Sequence, residues 1–286
     1  MRWEGRRQSE NVEDRRGMAA PTMVGGGLLA LLVMFGLMFM GMEQRQAAAI
    51  GGALAGEKPA KAKPKSADDR GGRFVKTVLA ENEDVWTALF QKYPEYFQGR
   101  YRPAKLVLFD GAVQSACGPA SASSGPFYCP LDRQVYIDLS FYDELKRRFG
   151  APGEFAQAYV IAHEIGHHIQ NQLGISNKVQ SMRQRMSERD YNKLSVRMEL
   201  QADFLAGVWA HHVARYAGIL DRQDILDAVN AAAAIGDDRI QAKTQGRIVP
   251  DAFTHGTSEQ RQRWFIYGFE TGDPRLMNRA FEEESP

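Results

Sequence analysis

The chain has 286 residues, with 36 Lys+Arg against 35 Asp+Glu and a formal net charge of +1. So even a balance excludes a general nucleic-acid binder, which carries a clear basic excess, and an acidic disordered chain. Hydrophobic residues at 44% allow a sizeable core, and two cysteines are too few for a disulfide-stapled mini-protein or an all-cysteine zinc site.

The N-terminal stretch 1–20 carries Arg2, Arg6, Arg7, Arg15 and Arg16, offset by Glu4, Glu10, Glu13 and Asp14. From Gly17 to Met42 no residue is charged, and 21–42 is mostly Leu, Met, Phe, Val and Gly. A helix of that length spans a hydrocarbon core of about 30 Å. The run is longer than the apolar part of a signal peptide, although Ala47 to Ala49 keep cleavage open. The pattern predicts one transmembrane helix over 21–42. Five arginines precede it and only Arg45 follows closely. The positive-inside rule then makes 1–20 a cytoplasmic tail of a single-pass membrane protein, with the bulk of the chain periplasmic or extracellular. Residues 43–72 hold Ala, Gly, Lys and Pro with almost no large apolar residue after Leu54. Such a segment buries too little surface to offset its ordering entropy and reads as a flexible linker.

The folded domain is expected over 73–286. In FVKTVLAENEDVWTALFQKY the apolar residues Phe74, Val78, Leu79, Trp86, Leu89 and Phe90 fall at helical spacing, with Pro94 just past the end. KLVLF at 105–109 and QVYIDL at 134–139 read as short strands, and a helix follows over Ser140–Phe149. From Glu154 to Phe269 the pattern is mainly helical, so the class is α+β with a small sheet. Cys117 and Cys129 bracket a loop rich in Gly, Pro and Ser. Outside the cytoplasm a bridge between them would persist and stabilise by about 3 kcal/mol. Two buried thiols, or half of a metal site, are the alternatives.

The chemistry sits in AYVIAHEIGHHIQNQ. His163 and His167 are four apart, so both imidazoles leave one face of a helix, and Glu164 follows the first directly. This is HExxH, in which two histidines bind Zn2+ and the glutamate is the general base. Gly166 between the ligands costs helix stability, and its missing side chain permits close approach of a neighbour. His168 points about 100° away from His167 and reads as structural. Catalytic zinc takes a third protein ligand, and position 173 is Leu, which excludes the metzincin continuation. Downstream, Glu199 and Asp203 are i and i+4 among apolar residues in MELQADFLAGVWAHH. Carboxylates are rarely buried unless paired or metal-bound. Glu199 is the candidate third ligand, and Asp203 a candidate to accept a hydrogen bond from a ligand histidine. The reverse assignment, with Asp203 as ligand, stays open, as does a solvated face for both. Tyr159, four before His163, is a candidate neighbour of that histidine, and His211 and His212 turn away from the Glu199 face.

HExxH followed on a later helix by ExxxD resembles the gluzincin arrangement of zinc metallopeptidases. ACGPASASSGPFYCPLDRQVYIDLSFYDEL, AYVIAHEIGHHIQNQLGI, ELQADFLAGVWAHH and FTHGTSEQRQRWF resemble the bacterial YpfJ-like neutral zinc metallopeptidases. These stretches and what lies between them cover most of 73–270. The resemblance implies a zincin-like metallopeptidase domain acting on a protein or peptide, with His163, His167 and Glu199 holding zinc. In thermolysin-like gluzincins a histidine downstream of the third ligand stabilises the oxyanion, and His255 in FTHGTS is its candidate here. The alternative for His255 is capping of the next helix or a core contact. A strand at the sheet edge, with 105–109 as the candidate, would hold the substrate backbone. Two other functions compete: a zinc-binding, non-proteolytic interaction module, and a hydrolase of another amide such as one in the cell wall.

Overall fold

The computed structural model describes residues 1–18, 69–122, 125–149, 153–239, 241, 248–284 and 286. Strand β1 is Val12–Asp14, helix α1 is Arg70–Lys92, and β2 is Lys105–Phe109. A hairpin of β3 (Ala112–Ser115) and β4 (Gly118–Ser121) follows, then β5 (Phe127–Cys129) and β6 (Gln134–Asp138). The longer helices that follow among the described residues are α2 (Ser140–Phe149), α3 (Glu154–Gln172), α4 (Ile175–Met182), α5 (Glu188–His212), α6 (Arg222–Ala234) and α7 (Ser258–Thr271). The fold is α+β, mostly helical with a small sheet, as its patterning implies.

The sheet runs β1-β2-β6-β5. β1, β2 and β6 are parallel, and β5 is antiparallel to β6. The alternation of a strand sorts its side chains to two sides. Leu106, Leu108, Val135 and Ile137 join the main helical core, while Val107, Phe109 and Tyr136 pack with Val113 and Cys129 in a second cluster. Burial on both faces is why KLVLF is apolar without a break. It also corrects one expectation: 105–109 is an interior strand, and β5 is an edge.

The N-terminal segment requires a larger correction. Residues 1–18 are a strap on the domain and not a separate tail. Asn11 accepts from the Leu106 N–H and the Arg15 N–H donates to Leu108, both at 2.8 Å, with Val12 opposite Leu106 between them. Trp3 is 4% exposed and meets Phe74 edge-on at 5.4 Å. The arginines that looked like a topogenic flank are ion-pair partners. Arg6 pairs with Glu81, Arg7 with Glu83 and Asp84, and buried Arg16 with Asp14 and with Asp69, the N-cap of α1. Among the described residues no helix is long and apolar enough to cross a membrane. The apolar run 21–42 and the linker as far as 68 lie outside the described residues.

Candidate metal centre

Helix α3 is buried along most of its length, and its one glycine between the histidines lets α5 come close. A Cβ on Gly166 would lie 3.0 Å from the Ala202 Cα and backbone oxygen. That approach brings Glu199 and Asp203 of α5 against the HExxH face. Farther along, Gly207 of α5 and Gly268 of α7 leave no room for a Cβ against each other's backbones, so α7 joins the same bundle.

Nε2 of His163 lies 3.2 Å and Nε2 of His167 3.4 Å from the carboxylate of Glu199. One ligand atom from each of the three falls within 4.8 Å of the others. Ligands at the Zn–N and Zn–O lengths of a tetrahedral site sit about 3.3 Å apart along an edge, so this N, N, O donor set fits zinc. The far nitrogens are held as well. His163 Nδ1 is 2.8 Å from Asp203 Oδ1, and His167 Nδ1 is 2.8 Å from Gln170 Oε1. Both acceptors take a hydrogen bond from Nδ1, so a bound cation would be met by the Nε2 lone pairs.

Asp203 is fully buried, yet burial is outweighed there. Arg261 grips it from two points, Nε to Oδ2 at 2.8 Å and Nη2 to Oδ1 at 2.9 Å, and Tyr159 donates to Oδ1 at 2.5 Å. Desolvation pushes the Asp203 carboxyl up, but Arg261 and His163 hold it below the usual carboxylate range. The Tyr159 hydroxyl is pushed well above its ordinary value by burial, so it stays a donor. Glu164 lines the cleft beside the histidines, and burial raises its carboxyl while His167 and His163 pull it back.

His255 lines the same cleft, half exposed, with Nδ1 3.1 Å from Asp237 Oδ1. The other Asp237 oxygen accepts the backbone N–H groups of Thr254, His255 and Gly256 at 2.6, 2.6 and 3.2 Å, which fixes the loop. Hydrogen bonding to Asp237 raises His255 above its ordinary value. His255 does not cap α7: Thr257 does, in a capping box with Gln260. His168 is structural, set between the Tyr128 hydroxyl and the Arg102 carbonyl at 3.1 and 2.6 Å. His211 and His212 bond the Phe269 and Gly272 carbonyls, away from the centre. Sequence reasoning missed Arg261, Gln170 and Asp237. Gln170 carried a signal, since i+3 from His167 is the next turn of the same face. Arg261 and Asp237 carried none, because only the packing of α7 and its preceding loop brings them in.

The family model described as "Putative neutral zinc metallopeptidase" matches residues 1–279. The chain belongs to that family. The match begins at residue 1, so it takes in the strap as well as the centre. The chain is similar to "Uncharacterized protein YpfJ" of Escherichia coli strain K12, 45% identical over 292 residues, covering 97% of this chain and 98% of that one. It is also similar to "Uncharacterized protein Rv2575" of Mycobacterium tuberculosis strain H37Rv, 43% identical over 217 residues, covering 72% and 71% of the two chains. No solved structure matches.

Proposed function

We propose that the protein is a zinc-dependent metallopeptidase in which Glu164 is the general base. One observation carries the reading. Two Nε2 atoms and a carboxylate of fixed orientation converge at the floor of a cleft of about 750 Å³, with a third carboxylate, Glu164, beside them. A bound zinc ion supplies a water acidified toward a pKa of about 7 and polarises the carbonyl it touches. His163, His167 and Glu199 would hold it. Glu164 takes the proton of the attacking water on its carboxylate and passes it to the leaving amine. His255, oriented through Nδ1 by Asp237, presents Nε2 to the developing oxyanion. Asp203 and Gln170 keep the two ligand imidazoles in one tautomer, and Arg261 keeps Asp203 ionised. The substrate is a protein or peptide.

The test is metal analysis of the purified full chain with cleavage of an unbiased peptide library, wild type against Glu164→Gln. The variant should keep one zinc per chain and lose about 10²–10⁴-fold in turnover. Unchanged cleavage by the variant would remove Glu164 from its role. Stoichiometric zinc without hydrolysis by the wild type would instead support the non-proteolytic module. The compartment belongs to the same proposal. The hairpin turn is bridged to the edge strand by Cys117–Cys129, and disulfides persist outside the cytoplasm. Thiol labelling of the denatured protein from intact cells should find both cysteines blocked.

A further inference from the structure

The walls of the cleft differ from its floor. The ionisable groups His163, Glu164, His167, Glu199, His255 and Arg261 all belong to the centre. Among the described residues, the rest of the lining carries no acidic or basic side chain. Phe127 and Leu131 come from β5 and the turn after it, and Phe141 from the start of α2. Val179, Tyr191 and Met198 come from α4 and α5. Leu131 is 74% exposed although it is a large apolar side chain at a functional cleft. β5, as a sheet edge, offers main-chain groups along this wall.

Resting on the peptidase reading above, we infer that the cleft takes an extended polypeptide whose side chains flanking the cut bond are uncharged and bulky, and that Leu131 helps select them. The reason is asymmetry of cost. A charged side chain seated against these walls, away from the floor, loses water and meets no counter-charge among the described lining residues. An apolar one covers Phe127, Leu131 or Met198 and removes both surfaces from water. The polar wall residues Ser176, Asn177 and Gln180 hydrogen-bond neutral groups and do not neutralise a charge.

A position-scanned peptide library, varied at two residues on each side of the cut, tests this on the zinc-loaded full chain. Bonds flanked by Leu, Phe, Met or Tyr should be cleaved at least about tenfold faster than those flanked by Lys, Arg, Asp or Glu. Leu131→Asp should lower kcat/KM for the apolar peptides about tenfold and leave zinc content unchanged. A second readout needs no turnover: fluorescent peptides bound to the Glu164→Gln protein, followed by anisotropy, should show the same ranking. Cleavage that is indifferent to charge, or faster at charged residues, overturns the inference while leaving the peptidase reading in place. No cleavage but apolar-selective binding would keep the inference and sink the peptidase reading. Neither cleavage nor selective binding overturns it outright.

Discussion

The HExxH helix and the N-terminal strap are both held by ion pairs, but the two use charge differently. At the metal centre Arg261, Asp203, Tyr159 and His163 form a closed network in which each polar atom aims another toward the cleft. On the strap, arginines pair with acids of α1 across a mostly half-exposed seam, and nothing in that seam points at the cleft. Charge at the first site orients groups for chemistry. At the second it fastens eighteen residues to a sheet edge and to a helix. A change at the centre should therefore register in metal binding and turnover, and a change on the strap in stability alone.

Arg261→Met probes this contrast with the largest expected effect. Removing one partner of a buried pair leaves Asp203 buried without its guanidinium, at a cost of about 3–5 kcal/mol. Without Arg261, Asp203 is no longer held in place against His163 Nδ1, so zinc affinity should fall about 10–100-fold. Denaturant titration and competition with a zinc chelator measure the two losses. A variant that lost stability and kept its zinc affinity would make Arg261 a core residue only. Trp3→Ala is the matching probe of the strap. It should cost about 3–5 kcal/mol, as aromatic truncations in a core do. Zinc affinity, measured where the protein remains folded, should not change. A large loss of zinc affinity in Trp3→Ala would break the contrast. Arg7→Ala comes next. Its guanidinium is 47% exposed, and exposed pairs of this kind contribute about 1 kcal/mol or less. Raising the salt concentration in the wild type should reproduce part of that loss.

These regions were unequally legible, and for physical reasons. His163, Glu164 and His167 are visible because their geometry is local: spacing of four on a helix sets the face before any tertiary contact forms. Glu199 and Asp203 repeat that spacing on a second helix, and their apolar neighbours favoured a buried pair while leaving a solvated face open. β2, β6 and the first long helix also announced themselves through local pattern, whereas β3 was not read and the Gly-, Pro- and Ser-rich stretch holding β4 and β5 read as a loop. The strap did not announce itself. Glu81 and Glu83 of α1 lie more than seventy residues from Arg6 and Arg7, and the arginines beside an uncharged run matched a topogenic pattern. Charge count could not separate a membrane flank from a set of ion pairs. Edge and interior strands posed the same difficulty. KLVLF reads as a strand either way, and only β1, three residues long with two acids in it, decides that it is interior.

The last and smallest effect concerns pH, and it falls on the helix side of the contrast. Burial lowers the His168 imidazole below its ordinary value of 6.5. The ring is therefore held toward its neutral form in the fold, where it joins β5, through Tyr128, to the helix that carries the candidate metal ligands. Below pH 6.5 the unfolded chain takes up a proton that the folded chain resists. The contribution of His168 is thus complete above pH 6.5 and is lost as pH falls from there through the folded value. On acidification across that window the thermal midpoint of the metal-free wild type should lose ground relative to a variant without His168. His168→Asn keeps a polar side chain at the site and removes the titration, so its midpoint should start lower at pH 7 and fall less. If both proteins follow the same pH curve, His168 is not the group that titrates. The acid sensitivity would then have to be sought at Asp237, whose carboxyl, despite burial, is held low by the His255 side chain and loop. Its loss would come at more acidic pH, since a lowered carboxylate gives up its contribution only as pH falls through its folded value.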